Sequence, residues 1–288
     1  MTSTAFSRSS VASMGARTDV IAPLSYVVPG PQRPRSYACP PPPGVPWESA
    51  AFDDRPVHLA DARPANAGAS LDREGFALWD APSAVHSFAD PEAVMATYRA
   101  ECLALALAAT GAARGQVFDH LLRRREAQVP LSFGRAQGGR AGANGRIHND
   151  YTEASGRRRL ELVLGDARQR AEVRRFAIVN IWRPVRGPVL DAPLALCDAR
   201  SVSPADWVEA EVIYPKRTGE IYFLRHSPAH RWHYHPAMER HEALVFKQFD
   251  SREDVARFTP HAAFEHPATP PGTPPRESIE VRCLVVHD

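Results

Sequence analysis

The chain has 288 residues, 44% hydrophobic and 24% charged, the composition of a globular chain with a real core. Its formal net charge of +2 gives no strong field for DNA, RNA or an acidic membrane surface, so neither a nucleic-acid nor a membrane partner is expected. Four scattered cysteines, Cys39, Cys102, Cys197 and Cys283, form no CxxC pair, which argues against a disulfide framework or a zinc knuckle.

Residues 1–18 are rich in Ser and Arg and carry no Asp or Glu, so they read as a disordered tail, with a transit peptide as the alternative. The first fifty residues hold nine prolines, including the run Pro40–Pro43. Proline fixes φ and removes a backbone donor, so residues 1–50 read as an extended, partly disordered arm. The remainder, 51–288, reads as one domain with a helical front over about 51–127 and a β-rich core over about 128–288. The clearest helix begins at Asp90, which can cap, with Pro91 in the first helical position. Val94, Tyr98, Cys102 and Leu105 follow at helical spacing, and Gly111 offers the stop. The longest apolar run, near Leu103 to Ala109, is far too short to span a membrane. A cytoplasmic location is expected.

A second helix is expected from about Ser155 to Leu164, with Arg157–Arg159 on its solvated side. Since 33 of the 35 basic residues are arginine, such clusters carry little weight by themselves. Eight short strand-like pieces then emerge: Val129–Phe133, Ile147–Tyr151, Phe176–Arg183, Glu211–Phe223, Arg231–His235, Ala243–Phe249, Thr259–Phe264 and Ile279–Val286. Eight strands behind a helical front define an α+β fold, a double-stranded β-helix of the jelly-roll or cupin kind.

Among twelve histidines, spacing selects His148 and Asp150, two residues apart on an expected strand and therefore on one face. Two imidazoles and one carboxylate on one side of an ion form the facial triad of non-haem Fe(II) oxygenases. His261, on the penultimate expected strand, can complete it. Arg276 opens the last strand, where its planar fork can take a carboxylate at two points, and Ser278 shares its face. An enzyme that splits dioxygen with a 2-oxo acid needs such an anchor. The rival second histidine is His230, and Arg282, at even spacing from Arg276, is the alternative anchor. Asn180, Trp182, His230 and Trp232 are candidate substrate-lining residues, with His233 and His235 read as exposed. Cys197 and Asp198 lie near the expected pocket mouth, but a cysteine without a neighbouring base is weak evidence for a nucleophile. Walker, GxGxxG and GxSxG motifs are absent, which removes the usual supports for nucleotide chemistry and serine hydrolysis.

From about Val57 to the C-terminus, some four fifths of the chain, the sequence resembles the AsaB-like hydroxylase/desaturase family, which includes CmcJ-type proteins. The resemblance lies in Ile147–Thr152, Val179–Pro184 with Gly187-Pro188, and Pro193–Asp198. It continues in His230–Pro236, Ala243–Lys247 with Phe249–Ser251, and Arg276–Arg282. It implies an Fe(II)/2-oxoglutarate-type oxygenase that hydroxylates or desaturates small molecules with dioxygen, often in specialised metabolism. Position by position it implies His148, Asp150 and His261 as iron ligands and Arg276 as the 2-oxoglutarate anchor. With Asp150 present, halogenation is disfavoured, because that reaction wants this position open for halide. Two other readings stand beside it: a metal-free jelly-roll protein that captures a small acid, and a divalent-metal cupin acting as hydrolase or isomerase.

Overall fold

The computed structural model describes residues 6–8, 18–126, 129–133, 136–137 and 140–287. Most of the expected N-terminal tail lies outside them. The described chain folds into two sheets stacked face to face. In chain order its main elements are β1 (Val20–Val27), β2 (Phe52–Asp61), β3 (Phe76–Asp80), α1 (Pro91–Thr110) and β4 (Arg114–Arg124). There follow β5 (His148–Asn149), α2 (Glu153–Val163), β6 (Arg175–Pro184), β7 (Leu194–Cys197), β8 (Trp207–Tyr214) and β9 (Arg217–Leu224). The chain ends with β10 (Trp232–Tyr234), β11 (Glu242–Asp250), β12 (His261–Ala263) and β13 (Glu277–His287).

One sheet runs β3-β11-β6-β13-β4, and the other runs β1-β2-β10-β7-β12-β5-β9-β8, with short strands added at the edges. Alternation decides what each sheet does with its faces. Phe76, Leu78, Trp182, Leu244 and Phe246 of the first sheet meet Leu194 and Leu196 of the second, and they form the barrel interior. On the outer side of the first sheet, Val179, Ile181, Val281 and Cys283 pack under α1.

The α1 helix starts as its sequence requires. Asp90 Oδ1 accepts from the Glu92 and Ala93 N–H groups at 3.0 and 3.2 Å, and Gly111 ends the helix at φ +67°. A π-helical turn over Val94–Tyr98 interrupts it. Val94, Tyr98, Cys102 and Leu105 are all buried on the sheet. The helix is long and apolar enough to pass for a membrane span, but that stripe faces protein.

The front of the chain corrects the expectation of a Pro-rich arm and a helical segment. Residues 51–127 contribute β2, β3 and β4, and β1 comes from the arm. The β1 strand pairs with β2 over eight residues, with Pro23 opposite Pro56. The β1 strand lies at the sheet edge, and Pro56 of β2 falls outside the Leu59–Asp61 stretch that pairs with β10, so both prolines sit where they are tolerated and the apolar alternation is diluted. Two strand readings change as well. Val129–Phe133 is not a strand and keeps a single bridge, Ser132 to Asn144. Glu211–Phe223 resolves into the β8–β9 hairpin, paired from Trp207↔Leu224 to Tyr214↔Arg217.

His233 and His235, read as exposed, turn inward. The β10 strand pairs Leu196 with His233, and both sit on the barrel side, whereas Trp232 and Tyr234 face out. A one-residue change of phase reverses every face of a strand. His235 is 2% exposed, and neither ring nitrogen has a partner among the described residues. Burial, then the charge of Arg63, pushes its pKa down to about 3. The unfolded imidazole titrates near 6.5, so between those values the unfolded chain binds more protons, and stability falls as pH drops below about 6.5. Going from pH 7.5 to 5 should cost about 2 kcal/mol through this group. Urea midpoints at the two pH values should therefore separate less in His235→Phe than in the parent. An equal separation would remove His235 from the acid response.

Candidate metal centre

The β5 and β12 strands are neighbours, and their register sets His148 directly opposite His261. The two rings lie 4.3 Å apart between centroids. Asp150 follows His148 by two residues, and its Oδ1 is 3.5 Å from His148 Nε2. One ligand atom from each of His148, Asp150 and His261 lies within 4.8 Å of the others. Both histidines are buried. The Nδ1 of His148 is 2.8 Å from the Arg146 carbonyl, and that of His261 is 3.1 Å from the Thr259 carbonyl. A carbonyl only accepts, so each Nδ1 carries the proton and each Nε2 keeps its lone pair for a metal. Burial, then the neighbouring His148, pushes His261 down to about 3, which keeps it a neutral ligand at any ordinary pH.

Asp150 is held from the opposite sheet. Its Oδ2 accepts from Asn180 Nδ2 at 2.8 Å and from Arg282 Nε at 2.9 Å, while its N–H donates to Gln248 Oε1 at 2.7 Å. Asn180 and Arg282 are paired residues of β6 and β13, so one register position supplies both donors. Burial by itself would raise the Asp150 pKa; the charge of Arg282, foremost, holds it well below the ordinary carboxylate range. The carboxylate is thus anionic, with one oxygen tethered and the other turned to the imidazoles. Sequence reading placed Asn180 among substrate contacts and Arg282 as an alternative anchor. Their even spacing from Trp182 and Ser278 marked the correct face, but not this partner.

Arg276 is 5% exposed and lies with its guanidinium carbon 5.5 Å from the Trp182 ring centroid. Its Nη1 donates to the Ala192 carbonyl at 2.5 Å, its backbone N–H reaches Asp191 Oδ2 at 3.3 Å, and its Nε has no partner among the described residues. Ser278 Oγ is also buried without a partner among them. Burial, then the charge of Arg123, lowers the Arg276 pKa to about 9, so the group remains cationic at neutral pH. Unsatisfied buried donors around an uncompensated cation fit an incoming carboxylate. A facial set of two imidazoles and a carboxylate fits Fe(II).

Two of the expected substrate-lining residues stand elsewhere. His230 contacts Asp206 Oδ2 and the Tyr26 hydroxyl, each at 3.2 Å, so it is neither the second ligand nor a lining residue. Trp232 donates Nε1–H to the same hydroxyl at 2.7 Å, within the cluster outside the second sheet. Cys197 belongs to that outer cluster, and burial pushes its thiol up to about 12, while Asp198 is engaged by Arg200 and Arg231. Sequence reading missed Gln248 and Asn144, whose Nδ2 is 3.3 Å from His148 Nε2. Neither carries a motif, because each acts through a contact across the fold.

A jelly roll with this triad between its sheets defines the class of non-haem iron oxygenases. The family described as an oxidoreductase/YMDC permease-like domain matches residues 24–286. The Fe(II)/2-oxoglutarate-dependent dioxygenase nvfI of Aspergillus novofumigatus is 30% identical over 284 residues, covering 94% of this chain and 98% of that protein. The hydroxylase/desaturase asaB of Aspergillus flavus is 40% identical over 129 residues, covering 40% of this chain and 56% of that one. A solved structure of the iron and alpha-ketoglutarate-dependent endoperoxidase NvfI superposes with a TM-score of 0.81 at 28% identity, covering 94% and 99% of the two chains. The chain belongs to this AsaB-like family of hydroxylases, desaturases and iron-dependent dioxygenases.

Proposed function

We propose that this protein is an Fe(II)/2-oxoglutarate-dependent dioxygenase that hydroxylates or desaturates a small molecule of specialised metabolism, with His148, Asp150 and His261 as the iron ligands. The observation that carries this reading is the convergence of those three side chains within 4.8 Å, each oriented by its own hydrogen bond. Iron with 2-oxoglutarate, when bound, supplies the oxidising power that removes hydrogen from a C–H group. The chain's own residues prepare the place. Arg146 and Thr259 carbonyls fix the imidazole tautomers, and Asn180 with Arg282 aims the carboxylate. Arg276 and Ser278 take the distal carboxylate of the co-substrate, satisfying donors that are otherwise buried unpaired. Trp182 walls the pocket beneath the Arg276 guanidinium. The barrel lining around Phe246 and Leu196 excludes water from the metal side of His261.

Anaerobic titration of the apo-protein with Fe(II) and then 2-oxoglutarate tests the reading directly. A visible charge-transfer band should appear on addition of the 2-oxo acid and be lost in His261→Ala. A band that survives in the variant would remove His261 as a ligand. Iron binding without any band would remove the co-substrate.

A further inference from the structure

On the inward face of the first sheet, β4 meets β13 in register, with Asp119 opposite Arg282, Leu121 opposite Glu280, and Arg123 opposite Ser278. That these side chains share a face is shown by the 2.8 Å ion pair between Arg282 Nη1 and Asp119 Oδ2. Charges along the face are balanced at one end only. Arg282 is matched by Asp150, Glu280 and Asp119. At the other end stand two guanidinium groups with no carboxylate paired to either among the described residues: Arg276, buried with Nε unpaired, and Arg123, whose side chain makes one hydrogen bond among them, Nη1 to the Gly142 carbonyl at 3.0 Å. Ser278, opposite Arg123 and two residues from Arg276, has its Oγ buried and without a partner among the described residues. Two like charges held beside a buried hydroxyl are costly unless an anion joins them.

We propose that Arg123 and Arg276 form a two-guanidinium clamp on the distal carboxylate of 2-oxoglutarate, with Ser278 donating between them. The proposal rests on the co-substrate reading above and assigns a second binding residue to it. Arg276 reaches the carboxylate from the entry to β13, and Arg123 closes on it from the neighbouring strand. The same face favours the co-substrate over a substrate acid, because Arg123 is the cross-strand partner of Ser278, which stands two residues from Arg276 on the same strand.

The test is calorimetric. Protein loaded with Mn(II) in place of iron is titrated with 2-oxoglutarate and, separately, with 2-oxovalerate, a 2-oxo acid that lacks the distal carboxylate. In Arg123→Ala the affinity for 2-oxoglutarate should fall about 10- to 100-fold, the loss expected for one charge-assisted hydrogen bond. The affinity for 2-oxovalerate should stay at the parent's value, and Arg123→Lys should recover part of the loss. Arg123→Gln gives the same comparison with less change of volume, should the alanine variant fold poorly. Unchanged 2-oxoglutarate affinity would overturn the clamp, and so would an equal loss for both acids. If the parent protein binds no 2-oxoglutarate at all, the co-substrate reading itself fails, and the clamp with it.

Discussion

Asp150→Asn is expected to weaken Fe(II) binding by more than about 100-fold and to abolish turnover, while leaving the thermal midpoint within a few degrees of the parent's. The substitution keeps the shape of the side chain and an oxygen that can accept from Arg282 Nε or Asn180 Nδ2, now 2.9 and 2.8 Å from Asp150 Oδ2. What it removes is the anionic ligand. Arg282 keeps Glu280 at 2.6 Å and Asp119 at 2.8 Å, so its buried charge is not stranded. Iron content after anaerobic reconstitution, together with a melting curve, decides the matter: full occupancy in the variant would exclude Asp150 from the metal shell. Asn180→Ala should give the graded version, with iron affinity lower by about 10- to 100-fold because the ligand survives but loses one tether.

The second large effect is expected at the anchor. If Arg276 anchors the co-substrate as proposed, Arg276→Ala should raise the KM for 2-oxoglutarate by about 100-fold or more while Fe(II) affinity stays unchanged, because that role touches the co-substrate and not the metal. A charge-assisted contact to a buried carboxylate is worth about 1.5–3 kcal/mol, and losing it also leaves the carboxylate desolvated against Trp182. Steady-state kinetics over a wide 2-oxoglutarate range, paired with an iron titration, separates the two constants. A variant with normal KM would shift the anchor elsewhere on β13; one that lost iron as well would show that Arg276 supports the barrel as a whole.

Much of this site was legible in the chain because its chemistry sits in short, local patterns. His148 and Asp150 are two residues apart, and Arg276 and Ser278 are likewise two apart, so a period of two puts each pair on one face whatever the rest of the fold does. The helices at Asp90 and near Ser155 were equally readable, since a cap, an apolar stripe and a stop are local signals. The β11 and β13 strands stood out because a sheet covered on both faces demands near-continuous apolar residues.

Other features were hidden because they depend on partners distant in sequence. The β1, β2 and β4 strands are rich in polar residues, with a proline in each of β1 and β2, and this is tolerable because β1 is an edge strand while β2 and β4 are paired along most of their length on one side only. His230 and Trp232 stood out in a histidine-rich segment, yet the phase of β10 turns Trp232 toward Tyr26, and the contacts of His230 with Tyr26 and Asp206 keep it from the triad. Residue types and the faces shared by near neighbours, and hence the proposed ligands and the anchor, can be read along the chain. Folding of the whole chain is needed to set His261 opposite His148, Arg282 against Asp150, and Arg123 opposite Ser278. The physical reason is that strand register across a sheet is set by packing over the whole barrel, which leaves no local trace in any one strand.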